Sequence, residues 1–131
     1  MKEFIWPVRV YYEDTDAGGV VFYANYLKFF ERARTEMLRC SGFEQDSLIA
    51  QENVIFVVRS VAVDYLKPAR FNEQIDVSAK IIENKKVSLI FEQAITREQD
   101  TLCKGIIRIV CVDAKSMRPK PIPVAILEQL T

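Results

Sequence analysis

Hydrophobic and polar positions divide the chain into segments of two different periods. Residues 8–12, Val8-Arg9-Val10-Tyr11-Tyr12, are β-branched or aromatic and alternate after Pro7, which predicts a short strand. Glu13-Asp14-Thr15-Asp16-Ala17-Gly18-Gly19 ends it with turn residues. From about residue 20 to residue 40 the repeat lengthens. Tyr26, Phe30, Ala33 and Met37 recur at three- and four-residue steps, flanked by Phe29 and Cys40. Lys28, Arg32, Glu36 and Arg39 fall on other faces, so the stretch predicts one long amphipathic helix. Ser41-Gly42 supplies its stop.

A short helix is predicted over residues 44–52, and then the period returns to two. Residues 54–65 predict a strand with Val57, Val61, Val63 and Tyr65 on one face and Phe56, Val58 and Ala62 on the other. Pro68 ends it. Residues 74–83 and 87–96 alternate on either side of Asn84-Lys85-Lys86, the pattern of a hairpin. After a turn at Gln99-Asp100, residues 102–112 form another strand. Its stretch 106–112 is apolar on both faces, as expected of a central strand or one covered by a partner. Residues 117–123 are proline-rich, and 124–130 predict a short terminal helix. Strands joined by short turns are antiparallel. One helix against one such sheet is a two-layer α+β domain, and 131 residues suit a single domain over 1–131.

Composition narrows the function more than the fold. Lys plus Arg equals Asp plus Glu at 18 each, with no basic block, so a dedicated nucleic-acid binder is disfavoured. A polyanionic ligand would have to be held by a few local cations. No apolar run approaches the ~20 residues of a membrane span. The start MKEFIWPVRV lacks a signal-peptide pattern, which makes the cytoplasm the expected compartment. The 3 cysteines form no C-x-x-C pair and are expected to be reduced. There is no histidine. That removes Ser-His-Asp and Cys-His machinery and any His-based zinc site, and no metal or cofactor is expected. Acid–base or nucleophilic chemistry then rests on a carboxylate, Lys, Tyr, a hydroxyl or the backbone.

Asp14 and Asp16 stand just before the helix, where alternation is expected to send them to opposite sides if the chain is still extended. Gly18-Gly19 lets the backbone approach a ligand. A helix start near residues 20–23 would offer free N–H groups and a partial positive charge. A carboxylate beside such donors makes an acyl-transfer site without histidine: the donors polarise a carbonyl while the carboxylate attacks it or deprotonates water. The same pattern serves for Asp14 or Asp16 as a plain helix cap. Spacing alone does not separate the two.

The stretch VRVYYEDTDAGGVVFYANYLKFFERARTEMLR, residues 8–39, closely resembles the signature of the hotdog-fold thioesterases of the 4-hydroxybenzoyl-CoA thioesterase family. Within it the pattern is most similar to the tol-pal system-associated acyl-CoA thioesterases, and FVVRSVAVDYLKPAR and VCVDAKSMRPKPIP extend the match. The resemblance implies a hotdog fold, with a long central helix wrapped by a five- to six-stranded antiparallel sheet. It also implies a homodimer joined edge to edge, with sites at the subunit boundary, or a homotetramer of such dimers. The implied reaction is hydrolysis of a short-chain or aromatic acyl-CoA, or of an acyl-carrier-protein thioester, to an acid and a free thiol.

By position, the catalytic carboxylate is the second Asp of D-T-D, Asp16, and the amide polarising the thioester carbonyl is that of Tyr23. Tyr12 matches a tyrosine of the site, and Gly18, Gly19 and Val20 are the expected substrate contacts. Lys85 and Lys86 occupy the turn where the hydroxybenzoyl-CoA enzymes carry basic residues near the CoA nucleotide, or are simply a solvated hairpin tip. Arg59, Lys67 and Arg70 are further candidates for phosphate contacts that the sequence does not rank. Glu31 is expected to pair with Arg32 or Arg34, or to be buried for structure, rather than to catalyse. Tyr23 is a departure, because many relatives carry histidine there; a backbone amide survives the change. A dehydratase of the same fold relies on a histidine that this chain lacks. The remaining alternative is a carrier-protein or envelope-complex interaction module with little hydrolysis.

Overall fold

The computed structural model describes residues 2–131. Its elements run β1 (Glu3–Arg9), a 3-10 turn (Tyr12–Asp14), α1 (Asn25–Cys40), α2 (Gln45–Glu52), β2 (Val54–Tyr65), β3 (Gln74–Asn84), β4 (Ser88–Arg97), β5 (Asp100–Asp113) and α3 (Val124–Leu130). The strands form one 5-stranded sheet in the order β1-β3-β4-β5-β2, antiparallel throughout. Helix α1 packs on one face of it, mainly over β3 and β1. This is the expected α+β hotdog architecture. No helix among the described residues is long and apolar enough to cross a membrane.

The apolar stripe of α1 is buried as its period requires, with Tyr26, Phe29, Phe30, Ala33 and Met37 all in the core. The helix begins at Asn25 instead of near residue 20, because Val20 and Val21 form backbone bridges with Arg70 and Thr15. Its 16 residues span about 24 Å. It ends on Gly42 at φ 96°. There the Phe43 N–H donates to the Leu38 carbonyl at 3.0 Å and the Gly42 N–H to that of Arg39 at 2.9 Å, a Schellman closure. Beneath α1, a Cβ at Gly105 would lie 3.1 Å from the Phe30 ring, so glycine sets how closely helix and sheet approach. Gln93, fully buried on β4, donates through Nε2 to the carbonyls of Phe30 and Ser78, both at 3.1 Å. One polar strut thus ties the middle of the helix to the sheet.

Strand β2 departs from simple alternation. Its register against β5 shifts between Val58 and Ser60, a bulge at Arg59. Phe56 and Val58 lie opposite the inward Cys111 and Ile109, and beyond the bulge Val61, Val63 and Tyr65 lie opposite Ile107, Gly105 and Cys103. The helix-facing set is therefore Phe56, Val58, Val61, Val63 and Tyr65, where uninterrupted alternation grouped Val57 with Val61. β2 is also an edge, paired only with β5 along its 12 residues. Since α1 leans toward β1 and β3, Val58, Val61 and Tyr65 remain 50%, 42% and 45% exposed on that inner face.

β5 is central, between β4 and β2. Its two-sided apolar character has an intrachain cause at one end, where Val112 bridges Pro119 and is buried along with Val110. Only Ile106 is left open. The strand pairing gives the sheet two distinct ends. Arg9, Tyr65, Gln74, Arg97 and Asp100 lie at one, and Val54, Asn84, Ser88 and Asp113 at the other.

Candidate active site

The turn between β1 and α1 is held from three sides. Asp14 is buried; its Oδ2 accepts the Tyr11 N–H at 2.8 Å and its Oδ1 accepts Asn25 Nδ2 at 3.0 Å. Its carbonyl accepts the Phe22 N–H at 3.1 Å. One residue therefore fastens the strand end, the loop and the first residue of α1. Removing the carboxylate would leave one buried donor, Asn25 Nδ2, and one part-buried donor, the Tyr11 N–H, without acceptors. Asp14→Ala is expected to lower unfolding free energy by about 2–3 kcal/mol, read by urea denaturation.

Asp16 is exposed and serves a different purpose. Its N–H donates to the Val20 carbonyl at 2.9 Å, and its carbonyl accepts the Gly19 N–H at 3.0 Å, which closes a tight turn. Gly19 takes φ 78°, a conformation that favours glycine. The Gly18 N–H donates to Asp16 Oδ1 at 2.8 Å, and a Cβ at Gly18 would crowd that oxygen at 3.3 Å. One carboxylate oxygen is thus fixed by the backbone, while Oδ2 takes no hydrogen bond among the described residues. The two aspartates do face apart, but not through strand alternation, which would place residues two apart on one side. The 3-10 turn over Tyr12–Asp14 separates them.

The helix start supplies donors beside this turn. The Asn25 and Leu27 amides donate to Phe22 and Ala24. The Tyr23 and Ala24 amides have no acceptor among the described residues. These amides, rather than those near residue 20, are the open array at the positive end of α1. The Tyr23 ring is exposed, edge-on to Tyr65 at 6.3 Å and beside Phe22 at 4.8 Å. Tyr12, 80% exposed, meets Phe71 edge-on at 5.7 Å. The Phe71 N–H donates to the Gly19 carbonyl. Tyr26 anchors the neighbourhood from below, its hydroxyl accepting the Ala69 N–H at 3.0 Å; burial pushes that hydroxyl's pKa up and the Ala69 bond pulls it back.

Asp16, Gly18, Gly19, Val20, Tyr23 and Tyr12 therefore form one neighbourhood. Lys85 and Lys86 do not join it. They lie past the other end of β3, about 35 Å along the strand from Gln74. Lys85 pairs there with Glu83 at 3.4 Å. Sequence reasoning missed Tyr65 and Phe71 as neighbours of the turn. Their signal was two aromatics flanking LKPAR, a loop that the chain folds back onto Val20 and Val21. Nor does any cysteine compete as nucleophile in the core: burial, with the Asp64 charge adding to it, pushes the Cys103 thiol up to about 12, and burial raises Cys111 as well.

A cavity of about 350 Å³ opens elsewhere, between the middle of α1 and the starts of β2 and β4. Met37, Phe56, Val58 and Phe91 are among its apolar walls, and Glu31, Arg34, Thr35 and Gln45 are its polar members. Arg34 donates to Gln93 Oε1 at 2.8 Å, and burial lowers its pKa to about 10, which leaves it charged at neutral pH. Glu31 raises that value through space but makes no ion pair among the described residues, contrary to the expected local pairing. Neither Asp16 nor Tyr23 lines this cavity. In a single chain, the Asp16 turn and this cavity are apart.

Comparison with known proteins bears on this arrangement. A family model described as the thioesterase-like superfamily matches residues 10–130. The acyl-CoA thioester hydrolase YbgC of Escherichia coli O6:H1 is 47% identical over 127 residues, covering 96% of this chain and 94% of that protein. The acyl-CoA thioesterase YbgC of Haemophilus influenzae is 45% identical over 120 residues, covering 92% and 88%. The crystal structure of a probable thioesterase from Bartonella henselae superposes with a TM-score of 0.89 at 30% identity, covering 93% of this chain and all of that one.

Proposed function

This chain belongs to the thioesterase-like superfamily and is an acyl-CoA thioester hydrolase, and we propose that it acts through Asp16 and the Tyr23 amide. The observation that carries the assignment is the division of labour between two carboxylates. Asp14 is spent on structure, whereas Asp16 keeps one oxygen free in the turn that leads into the unpaired Tyr23 and Ala24 amides. The thioester carbonyl oxygen accepts the Tyr23 N–H, which stabilises the charge that develops there. The free Asp16 oxygen then takes one of two courses. It adds to the carbonyl carbon and expels the thiolate, leaving a mixed anhydride that water opens. Alternatively it takes a proton from a water that adds. Either way one thioester and one water give one carboxylic acid and one thiol, and the side chain at position 23 is not needed. Gly18, Gly19 and Val20 border the approach, and Tyr12 closes its outer side.

The active form is a dimer through β2. That strand offers a long unpaired edge and three exposed apolar side chains, a combination that isolated proteins avoid. A two-fold axis across β2 pairs the strand antiparallel with its copy. Such pairing sets the Val54 end of one protomer beside the Tyr65 end of the other. The cavity at Phe56 and Val58 then meets the partner's Asp16 turn, and the Lys85-Lys86 hairpin comes to the same end. One operation thus reunites every group that the single chain keeps apart. The cavity's volume and apolar walls suit a short-chain or aromatic acyl group. An interaction module without hydrolysis would have no use for the free Asp16 oxygen. The cytoplasm, where acyl-CoA is made and used, is the compartment this chemistry fits. Thiol release measured over acyl chain lengths, on CoA and on carrier-protein thioesters, tests the assignment. Short-chain and aromatic acyl-CoA should turn over fastest; no release from any thioester would refute it.

A further inference from the structure

Three short segments form a small ribbon at the active-site turn, and its register has a chemical consequence. Thr15 bridges Val21 and Val20 bridges Arg70, both antiparallel. The Asp16 N–H donates to Val20 and the Phe71 N–H to Gly19, in keeping with both pairings. Residues directly opposite in such a ladder share a face. The ribbon therefore has two rows, Thr15-Val21-Ala69 and Asp16-Val20-Arg70. Burial agrees. Val21 and Ala69 are in the core, whereas Asp16 and Arg70 are both exposed. Arg70 thus stands on the face that carries the reactive carboxylate, two strand spacings away, or about 10 Å between backbones.

Arg70 is also the cation carried by the ribbon itself, and among the described residues its side chain is uncommitted, unlike those of its basic neighbours. Arg9 donates to the Asn72 carbonyl at 2.7 Å, Lys67 pairs with Asp100 at 3.2 Å, and Arg97 pairs with Glu73 at 2.8 Å. The Arg70 backbone is held through its N–H to Glu73 Oε1 at 2.6 Å, while its guanidinium makes no hydrogen bond or ion pair among the described residues. A chain of zero net charge has no general field to hold a polyanion, so a single well-placed guanidinium matters more. Its planar fork suits phosphate oxygens.

We propose that Arg70 binds the phosphate joined directly to the pantetheine arm of the thiol carrier, while the thioester at the arm's other end lies against Asp16. The assignment rests on the thioesterase reading above. Arg70 sits close to Asp16 along the ribbon, so it meets the first phosphate along the arm. The more distant phosphate on the ribose is left to other groups. Arg70 is a binding residue, remote from the bond that breaks.

The test compares one acyl group on four thiols: pantetheine, 4′-phosphopantetheine, dephospho-CoA and CoA. For Arg70→Ala, the ratio of kcat/KM on each phosphorylated thioester to that on the pantetheine thioester should fall about tenfold relative to wild type. Most of the change should lie in KM, and Arg70→Lys should recover part of it. A loss of equal size on the pantetheine thioester would show a structural role and overturn the proposal. No loss on any thioester would overturn it too, as would a loss confined to CoA, which would place the contact at the ribose phosphate. If the wild type hydrolyses none of the four, it is the thioesterase reading that fails. Calorimetric titration with CoA then decides Arg70 separately, with about tenfold weaker binding by Arg70→Ala expected and unchanged binding contradicting it.

Discussion

Asp16→Asn should lower kcat/KM for acyl-CoA hydrolysis by about a thousandfold while leaving the fold and its melting temperature essentially unchanged. Asparagine is isosteric and keeps an oxygen to accept the Gly18 N–H, so the turn that spans Asp16 to Val20 should survive. What it cannot do is attack a carbonyl or take a proton from water. The expected separation of activity from stability is sharp because the neighbouring carboxylate carries the structural load. Asp14 variants should show the reverse emphasis, with stability lost first. Thiol release and circular dichroism on the same preparations distinguish the two.

The second large effect concerns the edge of β2. Val61→Asp should convert a dimer of twice the 15.1 kDa chain mass into a folded monomer. Activity should fall at least about a hundredfold with it, because Asp16 and the cavity would no longer meet. Val61 is 42% exposed in the single chain, so an aspartate there is solvated and costs the monomer little. In a two-fold interface near the centre of β2, the same substitution desolvates a carboxylate and brings it toward its own copy, which costs several kcal/mol. Sedimentation or light scattering reads the mass, and the same samples report activity.

Much of this molecule was legible in the sequence because it is locally encoded. The aromatic stripe of α1, the Ser41-Gly42 stop and the hairpin at Asn84-Lys85-Lys86 each follow from a few adjacent residues, and each is where the pattern put it. The differences arise where distant segments intervene. α1 starts late because residues 69–71, far along the chain, bind Gly19 to Val21 in a ribbon before the helix can begin. β2 changes parity at Arg59-Ser60. Two consecutive polar residues in an apolar run were the available sign of a bulge, and strict alternation overlooked it. The roles of Asp14 and Asp16 were inseparable by spacing, because the difference is made by Asn25 and Tyr11 reaching the first and Gly18 the second. Lys85 and Lys86 were grouped with Asp16 on resemblance. Within one chain, β3 carries them to the opposite end of the sheet, a separation that the local pattern of the hairpin does not encode.

The central claim is that Asp16 of one protomer works against the cavity of the other, and mixing two inactive variants tests it most directly. Asp16→Asn removes the reacting carboxylate, and Val58→Trp fills the cavity that Val58 lines while leaving the edge backbone free to pair. Each alone should be folded and nearly inactive. After unfolding together and refolding at equal amounts, half the dimers are mixed and each mixed dimer holds one intact site, so about a quarter of wild-type activity should return. Mixed dimers that form in the expected proportion but show no activity beyond that of the separate variants would contradict a site built from two chains.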